Sequence, residues 1–206
     1  ALLLFIQYSR GVEGFVHRIN LLIARIERKK QGKSQIVVQL LAVVTGVMLF
    51  VETSICALTV GTLYRPIFER LKISREKLAY IADSSAPTSA VLIPFNAWGA
   101  FIMGLLITQG IENPFALMIS AIKFNFYPIL TILLMVIIII TGKDFGPMVK
   151  AEKRVRETGL LLNVGSTPLI SDAITSVKPK EGIEAKAFNM VIPLATMVLM
   201  MPVNLA

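Results

Sequence analysis

Five side chains with oxygen donors lie close together in "YIADSSAPTSAVLIPFNAW" (80–98), a segment flanked by apolar sequence. They are Asp83, Ser84, Ser85, Thr88 and Ser89. Carboxylate and hydroxyl oxygens are hard donors that suit a small hard cation such as Na+, and nothing in the sequence resembles a soft-metal site. We therefore expect an ion-binding site in this stretch, with Asp83, Ser84 and Ser85 as Na+ ligands.

Other polar residues in apolar sequence are Glu52, Asn96 and Lys123. An acid at the centre of a bilayer costs about 2.5 to 3.5 kcal/mol, so such residues normally face a partner, a cavity or a pathway. We expect Glu52 to complete the ion site or to carry a proton, and Asn96 to supply a further donor. The structural alternatives are an ion pair with another helix for Glu52, local hydrogen bonds at a helix end for Asp83, and extension toward an interface for Lys123.

A buried carboxylate can be neutralised either by a proton or by a metal cation. Competition between two ions for one carboxylate is exchange chemistry. If the loaded site alternates between the two faces of a membrane, an inward proton gradient drives Na+ outward without a covalent step. This chemistry predicts a transporter of Na+ and H+ rather than an enzyme, with no cofactor.

The composition predicts a membrane protein. Hydrophobic residues make up 55% of the 206 residues and charged residues 17%, and the mean hydropathy is +0.71. We expect an all-α, polytopic protein of the cell membrane with re-entrant or broken helices. The chain opens on "ALLLFI" and stops in another apolar run, so we expect it to be the middle of a longer helical transporter.

The net charge of +8 is concentrated between the apolar segments. All but one of the 21 Lys and Arg fall within 10–33, 65–77 and 143–186. The positive-inside rule places these three clusters on the cytoplasmic side. Orientation in the membrane therefore explains the positive charge, and we do not expect nucleic-acid binding. The expected partners are Na+, H+, the lipid bilayer and the remaining helices of a longer chain, with homodimer formation left open.

The segment 34–64 lies between two of these clusters and must therefore enter and leave the membrane on one side. As one helix it would be roughly 46 Å long, against a hydrocarbon core of roughly 30 Å. We expect two half-length helices meeting near "FVETS" at 50–54. A single long, tilted span is the alternative.

We expect a helical hairpin followed by an outgoing membrane helix over 65–109. Ser74 is a suitable N-cap, and Pro87 lacks the backbone donor that a continuing helix needs. We therefore place the tip of the hairpin at 83–89, and we expect a second break at Pro94. The other predicted segments are the end of a membrane helix at 1–9, a basic amphipathic cytoplasmic helix at 10–33, a membrane helix at 114–141, a cytoplasmic loop at 142–187 with a short helix stopped by Gly159, and the start of a membrane helix at 188–206.

Residues 58–100, "LTVGTLYRPIFERLKISREKLAYIADSSAPTSAVLIPFNAWGA", resemble the NhaC family of Na+/H+ antiporters, and "KDFGPMVKAEKRVRETG" at 143–159 fits the loop that follows. The resemblance implies a secondary transporter of about a dozen spans with paired re-entrant hairpins. It also implies Na+ binding by a polar hairpin tip, here Asp83, Ser84, Ser85 and the residues after Pro87. The chain has Glu52 and Thr53 where relatives often carry two adjacent acids, which leaves the ion stoichiometry open.

Other functions remain as alternatives. A Na+-coupled exchanger or symporter of an organic anion or amino acid would use Asn96, Lys123 or a helix N-terminus to hold a carboxylate. A channel could also be built from polar helix breaks. An intramembrane enzyme is disfavoured, because the sequence lacks "HExxH" and Asp83 has no second intramembrane Asp to form a proteolytic pair.

Overall fold

The computed structural model describes residues 5, 8–29, 33–50, 52–163, 165–166, 182, 184–193 and 195–196. These residues form helices joined by turns, with no strand among them, which confirms the all-α class. The predictions for most of 1–9, for 167–181 and for 197–206 fall outside them. The helices are α1 (Gly11–Lys29), α2 (Ser34–Met48), α3 (Thr53–Arg70), α4 (Arg75–Leu92), α5 (Ala97–Thr108), α6 (Pro114–Ala121), a 3-10 turn (Ile122–Phe124), α7 (Phe126–Thr141) and α8 (Pro147–Thr158).

Helices α2 and α3 form an antiparallel hairpin. Near its open end, Gln35 Nε2 donates to the carbonyl of Leu71 at 2.8 Å. Toward its closed end, the Cys56 thiol donates to the carbonyl of Gly46 at 3.1 Å. The chain between the two helices, 49–52, lies at the break that length and charge predict for this segment. The two helices therefore start and finish on the same side.

Helix α4 is continuous through Pro87, so the predicted hairpin tip at 83–89 is wrong. Proline removes one backbone donor, but hydroxyls in the same turns bond to carbonyls there. Thr88 Oγ1 donates to the carbonyl of Ser84 at 2.6 Å, and Ser89 Oγ donates to that of Ala86 at 3.0 Å. Pro87 leaves the carbonyl of Asp83 without its helical donor, and packing of α4 against α2, α3 and α7 holds the helix together past the proline.

The interruption lies after α4, at 93–96. Ile93 and Asn96 have extended backbones, with φ of −112° and −150°, and Pro94 lies between them. Asn96 is the N-cap of α5, because its Oδ1 accepts from the backbone N–H of Gly99 at 3.0 Å. The expected break at Pro94 is therefore present, and it is the break that ends α4.

The core lies between α2, α3 and α4, while α5 to α7 expose large apolar side chains such as Trp98, Phe101 and Tyr127. In the described chain, Arg75–Thr108, which includes α4, the break at 93–96 and α5, is long and apolar enough for a membrane span. Pro114–Phe124 and Phe126–Thr141, which meet at 47°, reach that criterion only as a pair. Length and composition therefore allow one or two spans in the described chain.

The segment after α7 returns to the first turn of α4. The Lys77 ammonium lies 2.9 Å from Asp144, and both side chains are more than nine-tenths buried. Ser74 donates to Glu152 through both its hydroxyl, at 2.6 Å, and its backbone N–H, at 3.0 Å. Arg154 pairs with Glu76 at 2.8 Å. We call these contacts the base network; they hold α8 on the open end of the hairpin.

The base network predicts a stability difference between two identical substitutions. Lys77→Met should lower the free energy of unfolding by about 3 to 5 kcal/mol, because it leaves the buried Asp144 carboxylate without its cation. Lys153→Met should change it by less than about 1 kcal/mol, because Lys153 and Glu157 are 3.8 Å apart and exposed. Thermal unfolding of the purified protein in detergent measures both. Equal effects would contradict the structural importance of the buried pair.

Candidate functional site

Two helix breaks lie at the same end of the helical core. Helices α3 and α4 are joined by the tight connection 71–74, next to Gln35 at the start of α2. Farther along, the Gly46 carbonyl of α2 accepts from Ser89 Oγ near the end of α4, at 3.5 Å. The end of α2, the start of α3 and the end of α4 therefore lie together. We call this region, formed by 49–50, 52–54 and 93–96, the break end.

Glu52 lies at the break end, at the start of α3. Its side chain is half-buried, and its Oε1 accepts from the backbone N–H of Ser54 at 3.1 Å. Thr53 and Ser54 place two more hydroxyls beside it, and the sequence reasoning did not count them. The signal was the run "ETS" at a predicted helix break, where side-chain oxygens and freed backbone groups come together.

Asn96 is buried and holds the second break in shape. Its Nδ2 donates to the carbonyls of Ala90, at 2.8 Å, and Ile93, at 2.7 Å, while its Oδ1 caps α5. These bonds satisfy backbone groups that the interruption would otherwise leave without partners. Asn96 is thus a positioning residue whose polar atoms already bond to protein.

Ends of four helices lie at the break end. Helices α2 and α4 finish there, and a helix C-terminus carries partial negative charge from its last carbonyls. The opposing N-termini of α3 and α5 are capped by oxygens of Glu52 and Asn96. The partial charges of the two C-termini and two N-termini oppose one another, and the Glu52 carboxylate is the one formal charge among the described residues of the break end.

Three of the predicted ligands, Ser85, Thr88 and Ser89, lie in the helix contact below the break end. All three are buried. Ser85 Oγ donates to the carbonyl of Ala82 at 3.3 Å and faces Gly46 of α2. A β-carbon on Gly46 would overlap Ser85 Oγ and lie 2.7 Å from its Cβ, so glycine permits this close approach. These hydroxyls belong to the packing that places the break end.

Asp83 is not brought together with the buried hydroxyls. Its side chain is exposed, and so is Pro87, one turn farther along the same face. Ser84 is half-buried. In a continuous helix successive side chains are rotated by about 100°, so Asp83, Ser84 and Ser85 point in three directions. A ligand set of these three side chains around one Na+ requires the tip that the helix lacks.

Lys123 lies in the 3-10 turn between α6 and α7. It is exposed, and its ammonium is 5.1 Å from the centre of the Phe124 ring. This distance is within the range of a cation–π contact. Lys123 thus occupies a bend between two helices rather than the interior of a straight one.

Comparison with known proteins gives one match and no family. An uncharacterised protein of Haemophilus influenzae is 36% identical over 121 residues, which cover 56% of this chain and 23% of that protein. The chain therefore corresponds to about a quarter of that relative. No family model matches, and no solved structure matches.

The close approach at Gly46 predicts a packing defect. Gly46→Ala should destabilise the fold by about 1 to 3 kcal/mol, because the added methyl must push α2 away from α4. Ser85→Gly should recover part of the loss in the double variant, because it removes the overlapping atoms.

The matched control is Gly61→Ala. A methyl group at Gly61 in α3 meets open space, so this variant should keep or gain stability. Unfolding in detergent measures the stability of the wild type, Gly46→Ala, Gly46→Ala with Ser85→Gly, and Gly61→Ala. Loss of stability in Gly61→Ala equal to that in Gly46→Ala, or no rescue by Ser85→Gly, would contradict the assigned contact.

Proposed function

We propose that the chain is part of a polytopic membrane transporter that exchanges Na+ for H+, with the ion site at the break end. The observation that carries the proposal is that two helix breaks, one of which holds the acid Glu52, lie at the same end of the helical core. Non-helical backbone is tolerated at membrane depth only where it is buried in protein or lines a polar cavity. Transporters of this kind bind their ions at such discontinuous helices.

The depth of the break end supports a membrane site. Arg65 and Lys77 belong to the basic cluster expected at the cytoplasmic interface. From Arg65 the axis of α3 rises about 18 Å to Thr53, and from Lys77 the axis of α4 rises about 22 Å to Leu92. The hydrocarbon core is about 30 Å thick, so both breaks would fall inside it, about 12 and 8 Å from its far face. The hairpin of α2 and α3 is then a re-entrant hairpin.

The chemistry of exchange rests on Glu52. Its carboxylate can hold a proton, or it can hold Na+ together with hydroxyls of Thr53 or Ser54 and the last carbonyls of α2 and α4. Oxygen ligands of this kind are those that hard cations prefer. Because the proton and Na+ neutralise the same group, the site releases one when it takes the other. The resemblance of 58–100 to the NhaC family supports the same assignment.

Asp83 has a different place in the proposal. It lies on the exposed face of α4, six residues beyond Lys77, where lipid contact would carry a penalty of about 2.5 to 3.5 kcal/mol. We propose that the remaining helices of a longer protein cover this face. The relative from Haemophilus influenzae is such a longer protein, because the matched residues make up 23% of it. The exposed apolar side chains of α5 to α7 are assigned to contacts with those helices and with lipid.

Transport by the full-length protein in vesicles tests the assignment of Glu52. Glu52→Gln should lower the rate of Na+-driven proton movement at least about tenfold, because an amide cannot bind a proton in exchange for Na+. Glu112→Gln, an exposed acid between α5 and α6, is the matched control and should leave the rate unchanged. Full activity in Glu52→Gln would overturn the proposed site.

Asp83→Asn separates the break end from the hairpin tip that the sequence predicts. Because Asp83 points away from the break end, the variant should keep an apparent Na+ affinity near that of the wild type. A fluorescent pH dye inside the vesicles measures the Na+ dependence. A complete loss of exchange with normal insertion would return the site to Asp83. Proton movement that requires an added organic acid or amino acid would favour the Na+-coupled carrier.

A further inference from the structure

A groove of about 910 Å³ lies between α1 and the segment 184–193, apart from the break end. Volumes in this range are typical of sites for small molecules. The side chains that decide its chemistry are His17, Arg18, Leu21, Lys186, Phe188 and Val191.

The two walls of the groove are held together by close backbone contacts. A β-carbon on Gly14 would overlap the backbone of Lys186, and one on Gly11 would lie 2.9 Å from the backbone nitrogen of Met190. Asn189 Nδ2 also donates to the carbonyl of Ser9 at 2.7 Å. The groove is therefore a fixed feature of this part of the chain, and the two glycines of α1 allow it to form.

The lining combines positive charge with exposed apolar surface. Arg18 and Lys186 supply two cations, and His17 supplies a further nitrogen donor. Leu21, Phe188 and Val191 expose 54%, 65% and 44% of their surface. A ligand that matches both features has an anionic head and an apolar tail.

We propose that this groove binds one anionic phospholipid, with the phosphate held by Arg18 and Lys186 and an acyl chain against Phe188 and Val191. Guanidinium and ammonium groups are the usual phosphate donors of proteins. Basic pockets next to membrane helices hold anionic head groups in the same way. The amphipathic helix α1, with its basic residues, brings the groove to the membrane surface.

Glu184 is the acid that opposes this binding. Its Oε2 lies 2.6 Å from Lys186 Nζ, and this hydrogen bond lowers the pKa of Glu184, so the carboxylate stays charged near neutral pH. A lipid phosphate must compete with Glu184 for the same ammonium. Glu184→Gln should therefore strengthen lipid binding, while Lys186→Gln should weaken it.

The test uses the purified full-length protein in detergent, with bound lipids counted by native mass spectrometry during titration with phosphatidylglycerol. The wild type should retain one phosphatidylglycerol in preference to phosphatidylcholine. Arg18→Gln with Lys186→Gln should weaken that binding about tenfold or more, because two phosphate-binding cations are lost. Glu184→Gln should retain the lipid at lower concentrations.

The matched control is Arg25→Gln with Lys150→Gln, which removes the same charge from exposed positions outside the groove. Equal losses in the control and groove variants would show general charge attraction and overturn the proposal. Displacement of the lipid by inorganic phosphate at similar concentration would show a site for free phosphate and would also overturn it. Phe188→Gln, which keeps both cations, should weaken binding of long-chain more than short-chain phosphatidylglycerol. Lipid counting needs no ion transport, so failure of the exchange proposal would not affect this result.

Discussion

The backbone groups that a helix break sets free need partners where water is scarce, and the positions of the breaks follow from this constraint. At 93–96 the partners come from Asn96, whose amide bonds to two carbonyls and one N–H. At 49–52 they come from Glu52 and from the carbonyls of Thr45 and Gly46, which accept from the N–H of Leu49. Each interruption therefore sits next to a side chain or helix end that can satisfy it.

At Pro87 the same need to satisfy backbone groups keeps the helix continuous. Thr88 and Ser89 bond back to carbonyls of their own helix, and α4 is packed on several sides. Under these conditions the loss of one N–H costs less than opening a whole turn and exposing several polar groups. Hydroxyls that resemble ligands in the sequence thus bond to carbonyls of their own helix and are buried in its packing contacts.

The sequence predicts the elements whose cause is local. Ser74 caps α4, Gly159 follows α8 in a left-handed conformation with φ of 73°, and charge with length places a break between α2 and α3. The sequence does not predict the continuous helix at Pro87, because that outcome depends on tertiary packing. The partners of Lys77 and Gly46 are likewise set by contacts between distant parts of the chain.

The sequence likewise predicts some residues of the candidate site and not others. Glu52 and Asn96 are recognisable from the sequence as polar residues next to helix breaks, and the structure shows that both accept from the first N–H groups of the following helix. The sequence groups Asp83 with Ser85 because a hairpin tip brings neighbouring side chains together, whereas a continuous helix points them in different directions. In the run at 52–54 the sequence draws attention to the acid, but the hydroxyls of Thr53 and Ser54 lie at the same break.

The unbroken α4 also connects the two polar regions of the molecule. Its first turn is fixed by Asp144, Glu152 and Arg154, and its last turn forms one side of the break end. Between them the contact of Ser85 with Gly46 fixes α4 to the hairpin. A helix held at its first turn and at its middle gives the break end, with the carboxylate of Glu52, a defined geometry.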